Sequence, residues 1–304
     1  MWYNWLIPAW VVLLGAGAAT GLMMGFYFLL KLILPKTAAI ARVAAKETWS
    51  QPLFWVELML GAVLLLLFVF IPYNTFGDDI KVLKDSGLTL ILVLSIILAV
   101  WSASVSIADE LEGRTALTLL SKPVSRRQFI IGKFFGVLAP VFTLYIVLGS
   151  IFLIMVSYKV VYDARELTRP DPTWQQCFGE TALIVPGLVL AFLETMTMTA
   201  VSVAISTRLP MLPNLLICSS IYVVGHLVPN LVQSSAGKIP LVGFMGKLLA
   251  AILPVLDYFN IEPAIAAGRA VPLVYVGVAF AYAVLYSTVA LLVALLLFEN
   301  RDLA

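Results

Sequence analysis

Seven long apolar runs, nearly free of charged residues, set the strongest limit on how this chain can fold. A bilayer core about 30 Å thick is crossed by a helix of about 20 apolar residues, and loops cannot leave backbone groups unpaired in lipid. The runs therefore predict an all-α, polytopic membrane protein with about seven transmembrane helices. They cover residues 8–30, 53–72, 87–108, 134–158, 181–207, 212–231 and 271–298.

The composition agrees with this class, because 62% of the 304 residues are hydrophobic and 12% are charged, against roughly 45–50% and 25% in soluble domains. The first run is interpreted as a retained helix rather than a secretory signal, since no Lys or Arg precedes it and it is longer than a signal's apolar region. A shorter stretch, 239–256, contains Gly243, Lys247 and Pro254. It predicts a re-entrant or interfacial element before the last span.

The distribution of Lys and Arg residues predicts the orientation of the chain in the membrane, because these residues are enriched in cytoplasmic loops. Placing the segments 31–46 and 114–133 in the cytoplasm gives eleven Lys and Arg inside against eight outside. We therefore expect a multi-pass protein of the bacterial cytoplasmic (inner) membrane, with its N-terminus outside and its C-terminus in the cytoplasm.

Two polar segments face the cytoplasm in this topology. Residues 36–51 are weakly amphipathic, with Ile40, Val43 and Ala44 on one side and Arg42 and Lys46 on another, which fits an interfacial helix or a plain linker. The second segment, 109–133, is rich in charge. Loops between bundled helices commonly have about 2 to 8 residues, so its length favours a docking surface for a soluble partner over an ordinary connection.

The end of segment 109–133 carries signals for a helix start. Ser125 and Gln128 have the spacing of a capping box, and Val124 and Phe129 that of a hydrophobic staple. Pro123 stops whatever helix precedes them. The next helix is therefore predicted to begin in the cytoplasm, about two turns before the membrane.

The motifs EGRT at 112–115, LLS at 119–121, KPVSR at 122–126 and GK at 132–133 resemble the cytoplasmic loop of ABC-2 type permeases. The closing LFENRDL at 297–303 is similar to that family's C-terminal end. The similarity covers roughly residues 36–303 and is greatest for the subgroup named for multi-copper enzyme maturation. It implies a six-helix permease domain over 36–304, preceded by an extra N-terminal transmembrane helix over 1–35.

This resemblance implies the membrane subunit of an exporter, paired with a second copy or a paralogous permease, in which segment 109–133 is the coupling loop that contacts a separate ATPase subunit. ATP and Mg²⁺ would bind to that partner, and the chain has no match to the P-loop pattern. No catalytic residue, metal, cofactor or nucleic acid is expected for this chain. The expected coupling residues are Glu110, Glu112, Gly113, Arg114, Thr115, Leu117, Pro123 and Arg126.

Glu194 and Thr197 are the candidates for a substrate path, because an ionisable residue inside a span is costly without a function. Glu194 begins the polar stripe ETMTMT, whose hydroxyls could satisfy it, and a protonated structural carboxyl is the competing interpretation. Glu57 lies near the end of its span and could reach the interface. The only histidine, His226, is interpreted as a packing residue.

Other classes of protein fit less well. A membrane-embedded enzyme would need a zinc or nucleophile motif that the sequence lacks, and no disulfide is expected between Cys177 and Cys218. An ion-gradient-coupled secondary transporter with Glu57 and Glu194 as proton sites stays open. So does a membrane subunit that transmits ATPase motion to a periplasmic partner.

Overall fold

The computed structural model of the protein describes residues 4–71, 73, 78–109, 125–233, 240–266 and 268–299, and every regular element within these ranges is helical. Seven helical spans are long and apolar enough to cross a membrane, which confirms the predicted all-α polytopic fold. The helices are α1 (Ile7–Ile33), α2 (Pro35–Ser50), α3 (Pro52–Phe70), α4 (Asp79–Ser104), α5 (Arg126–Glu166), α6 (Trp174–Ala182), α7 (Val185–Ser206), α8 (Met211–Gln233), α9 (Pro240–Ile252), α10 (Glu262–Ala266) and α11 (Leu273–Glu299).

The longest helix, α5, is the central element of the bundle. Its 41 residues extend for about 60 Å, roughly twice the apolar thickness of a bilayer. It contacts α1, α2, α3, α4 and α7, while α4 and α7 are the spans buried most deeply inside the protein. The core therefore lies between α4, α5 and α7.

Helix α2 packs closely against the start of α5. A Cβ atom added at Gly136 would lie 2.5 Å from the Ala44 Cβ and 2.9 Å from the Ala41 carbonyl oxygen. The buried face of α2 is formed by alanines and threonines, whereas Val43 is 65% exposed. Of the predicted apolar side, Ala44 and Ile40 lie against α5 and Val43 does not, because only small residues at the centre of the contact allow two helix backbones to approach this closely.

Helix α1 attaches to the bundle along α5 and runs antiparallel to it. Near its start, the Ser157 hydroxyl donates to the Trp5 carbonyl oxygen at 2.9 Å. Near its end, the rings of Phe26 and Phe135 lie 5.1 Å apart. Only Pro8, Val12 and Leu30 of α1 are buried, so most of its surface is left to the surroundings.

The chain between α8 and α11 is a bent pair of helices, Leu241–Ile252 and Leu256–Ile265, at 62° to one another. This is the form of a broken span or of a re-entrant loop. Irregular backbone at membrane depth needs protein partners, and tyrosines of α11 provide them. The Tyr282 hydroxyl accepts from the Val255 N–H at 2.8 Å, and the Tyr286 hydroxyl donates to the Ile252 carbonyl at 3.0 Å.

Candidate functional site

A partly open cavity of about 180 Å³ lies between α4, α7, α8 and the second half of the bent segment. It is in the half of the bundle away from the start of α5, because it lies near the beginnings of α4 and α7 and the end of α8. Apolar side chains form much of the wall. The polar side chains that line it are those of Asp85, Thr89, Glu194, Tyr222, His226 and Asn260.

Glu194 is the most buried acidic residue of the cavity, at 2% exposure. Its Oε1 atom has no hydrogen-bond partner within the described part of the chain. The imidazole of His226 is close by, with its Nε2 at 3.4 Å from Oε1, within ion-pair distance but outside hydrogen-bond geometry. The structure therefore places the carboxyl predicted for the substrate path in the wall of a cavity, with one oxygen unpartnered.

The threonines next to Glu194 do not satisfy its carboxyl group. Thr195, Thr197 and Thr199 each donate to a carbonyl oxygen one turn earlier in their own helix, the usual behaviour of hydroxyl groups within a helix. Thr197 is fully buried and is not among the described residues that line the cavity. The expectation that the polar stripe would satisfy Glu194 was wrong, because the helix backbone takes these donors.

His226 is a site residue that the sequence interpretation missed. Its Nδ1 atom lies 3.1 Å from the Tyr222 carbonyl oxygen, and a carbonyl only accepts, so Nδ1 carries a proton in this contact. A neutral imidazole then turns an unprotonated Nε2 toward Glu194. Two lone pairs facing one another would repel, so the contact is favourable when one proton resides either on Nε2 or on the carboxyl group.

The sequence carried one usable signal for this pair. Glu194 and His226 lie at nearly equal distances from the short connection between α7 and α8, at residues 207–210. Antiparallel neighbours place such residues at the same depth. The similar distances of Glu194 and His226 from this connection are therefore the sequence signal that the two residues lie close together.

Glu57 is buried inside the protein rather than extended away from it. It is 4% exposed, and neither carboxyl oxygen has a hydrogen-bond partner within the described residues. One turn further along α3, a Cβ added at Gly61 would meet Leu148 and Leu94 at under 3 Å. The side chain is therefore held on the face of α3 that packs against α4 and α5, and it is not among the residues lining the cavity.

A second polar cluster joins α4, α7 and α8 nearer the start of α5. The Asn214 side-chain amide lies within hydrogen-bond distance of three serine hydroxyls, at 2.7 Å from Ser104, 2.8 Å from Ser202 and 2.9 Å from Ser206. The Cys218 thiol donates to the Asn214 Oδ1 at 3.2 Å. These groups partner one another, and both Cys177 and Cys218 are free and buried.

The start of α5 has the predicted capping box, since the Gln128 N–H donates to the Ser125 hydroxyl and the Ser125 N–H donates to the Gln128 side chain. Arg126 donates to the Glu299 carbonyl oxygen at 2.7 Å, and Phe129 stacks on Phe298 with ring centroids 5.7 Å apart. The beginning of α5 is thus joined to the end of α11. The other predicted coupling residues lie outside the described residues, namely Glu110, Glu112, Gly113, Arg114, Thr115, Leu117 and Pro123.

An ion-pair network holds the opposite end of α5. Lys159 is 1% exposed, and its Nζ lies 3.0 Å from an Asp163 oxygen and 4.0 Å from an Asp79 oxygen. It also donates to the Val69 carbonyl at 3.1 Å. Nearby, burial and then the charge of Asp79 raise the pKa of Tyr73. The network ties α5 to the start of α4 and the end of α3.

These features define a multi-pass membrane protein with a polar cavity between its inner helices. The family model described as ABC-2 family transporter protein matches residues 73–303, and the chain belongs to this family. The match begins beyond α3, and it confirms the resemblance inferred from the loop motifs. No curated protein matches the chain.

Proposed function

We propose that the protein is the permease subunit of an ABC exporter, which moves its substrate with ATP hydrolysed by a separate ATPase subunit. The observation that carries this proposal is family membership across 73–303. In the complete transporter the chain pairs with a second copy or a paralogous permease. It lies in the bacterial inner membrane with its N-terminus outside and its C-terminus in the cytoplasm.

The proposed ATPase contact is the coupling loop, 109–133, with Glu110, Glu112, Gly113, Arg114, Thr115, Leu117, Pro123 and Arg126 as its contact residues. The connections at the start of α5 support this assignment. Arg126 and Phe129 join α5 to α11, and Gly132 and Gly136 lie against α2. A force applied to the loop would therefore move three helices together rather than bend one.

The proposed substrate path passes through the cavity that Glu194 lines. Glu194 is suited to the role because it combines deep burial with an oxygen that no described group satisfies. Thr197, proposed with it, points its hydroxyl to the Leu193 carbonyl at 2.9 Å. A contact between substrate and Thr197 would require that bond to be exchanged.

A charge-reversal experiment tests the ATPase contact. Arg114→Glu should abolish co-purification of the proposed ATPase partner, together with ATP-dependent transport, because the loop would then repel acidic groups on the partner. Arg169→Glu is the matched control, since Arg169 is an exposed arginine in the connection on the other side of the bundle. Normal ATPase recovery and transport with Arg114→Glu would refute the assignment.

The Glu194–His226 pair favours a second candidate, a secondary transporter driven by an ion gradient, because a buried carboxyl group lies 3.4 Å from an imidazole and both groups can bind a proton. Vesicles containing only the purified chain separate the candidates. We expect no movement of substrate across them under a proton gradient without ATP. Such movement would replace the ABC proposal with the secondary transporter.

A further inference from the structure

We propose that the cavity between α4, α7, α8 and Leu256–Ile265 binds a small organic ammonium ion, whose N–H groups donate to the carboxylates of Glu194 and Asp85. The identification of this ion as a transported substrate rests on the proposed function. Its binding to the cavity does not, because the site is complete within this one chain.

Charge is the first reason for a cationic ligand. Two acidic side chains, those of Asp85 and Glu194, line the cavity together with the imidazole of His226, and none of the described lining residues is Lys or Arg. In a low-dielectric interior an acidic group is strongly stabilised by a nearby cation. The unpartnered Oε1 of Glu194, on a side chain that is 2% exposed, supplies an acceptor with no described hydrogen-bond partner.

The shape of the site favours an organic cation over a metal ion. A divalent ion needs several ligand atoms converging at about 2.0 to 2.6 Å. Among the described residues the acidic, histidine and cysteine groups converge in this manner only at Asp79, Asp163 and Glu166, outside the cavity. A cavity of about 180 Å³ with Leu92, Phe259 and Ile265 in its wall instead offers apolar surface for a carbon skeleton.

The ring of Tyr222 and that of Phe259 also contribute to the wall. The negatively polarised face of an aromatic ring attracts cations. The lining thus combines carboxylate acceptors, aromatic rings and aliphatic side chains. That set of groups fits an alkylammonium better than a carboxylic acid or a neutral molecule of the same size.

His226 links ammonium binding to protons. Without ligand, one proton between Nε2 and the Glu194 carboxyl makes their 3.4 Å contact favourable. An ammonium ion bound to Glu194 replaces that proton, which leaves through the open side of the cavity. In the part of the chain that the structure describes, the other titratable side chains near Glu194 are Asp85 from α4, Tyr145 from α5 and Tyr222 from α8.

The test measures binding to the full-length chain in lipid nanodiscs by calorimetry, with three probes that share one carbon chain. They are n-butylammonium, butan-1-ol and butyrate. We expect butylammonium to bind at least tenfold more tightly than either of the others. Because one proton is released on binding, its affinity should fall by up to about tenfold per pH unit as the pH is lowered.

Variants then locate the site. Glu194→Gln should weaken butylammonium binding at least tenfold, and Asp85→Asn, at a half-buried position, should weaken it severalfold. Glu57→Gln is the matched control, because Glu57 is a similarly buried glutamate with unpartnered oxygens that does not line the cavity. Its affinity for butylammonium should equal that of the wild type.

Three results would overturn the proposal: no saturable binding of butylammonium, equal affinity for butan-1-ol, or full affinity retained by Glu194→Gln. The first two use the wild-type chain, so they remain decisive if a variant does not fold. None of them bears on ATPase co-purification. Failure of the ammonium site is therefore distinguishable from failure of the proposed transporter function.

Discussion

Single small residues set the distance between helices in the half of the bundle that contains the start of α5. At Gly132 an added Cβ would approach the Ile40 Cβ to 2.8 Å, and at Gly136 it would approach both Ala44 and the backbone of Ala41. Backbone atoms cannot move aside as a flexible side chain can. The close contact between α2 and α5 therefore requires glycine, which has no Cβ atom, at both positions.

Gly136→Ala should lower the free energy of unfolding by about 1–3 kcal/mol, because the extra methyl group overpacks the contact with α2. Unfolding in mixed detergent micelles measures this change. Gly21→Ala in α1 is the control, since an added Cβ there meets nothing within 4 Å. It should leave stability unchanged or raise it slightly, and an equal loss in both variants would contradict the packing argument.

The environments of two residues, Glu194 and His226, could not be predicted from the sequence. Glu194 was recognisable as costly inside a span, but the donors assigned to it belonged to threonines that bond their own helix. His226 was set aside because a lone histidine has no partner that a linear pattern displays. Which side chains meet across two helices depends on helix rotation, and rotation is fixed by packing rather than by the apolar runs.

At the scale of elements, the start of α5 combines a local signal with long-range contacts. Ser125 and Gln128 cap the helix through neighbouring residues, and this part was predictable because capping depends on spacing alone. The contact of Arg126 with Glu299 joins residues far apart in the chain. No property of either residue in the sequence indicates the other.

Ser125→Ala should reduce protection from hydrogen exchange in the first turn of α5 by about fivefold, since loss of a cap costs about 1 kcal/mol. Mass-spectrometric hydrogen exchange on the purified chain measures this. Thr173→Ala is the matched control, because Thr173 and Gln176 hold the corresponding N-cap and N3 positions of α6, where the Thr173 N–H donates to the Gln176 side chain at 2.9 Å. Its effect should be confined to α6, and faster exchange at α5 in that variant would show that the effect is not local.

At the scale of the whole molecule, the number of spans followed directly from apolar length, and seven candidate spans are present. Their lengths were less predictable. The run at 134–158 became a helix of 41 residues, because polar ends continue a helix when neighbouring helices and ion pairs support them. The bent segment before α11 likewise depends on tyrosines more than 20 residues further along.

The proposed orientation, with the N-terminus outside, predicts which substituted positions are reached from outside the cell. Arg169→Cys should react with a membrane-impermeant maleimide in intact cells, while Arg208→Cys should react only after the membrane is permeabilised. Both positions are exposed, and the natural cysteines are buried, so background labelling should be low. The reverse pattern would invert the topology.

The buried Lys159 network attaches one end of α5 to α3 and α4. About 50 Å of helix separates Lys159 from Arg126, and the Lys159 end is fastened by Asp163, Asp79 and the Val69 carbonyl. If α5 turns as one body about that fastened end, a tilt of about 10° displaces its start by about 9 Å, by the same helix length. A small rotation of α5 about its Lys159 end would then be the same motion as a large displacement of its Arg126 end.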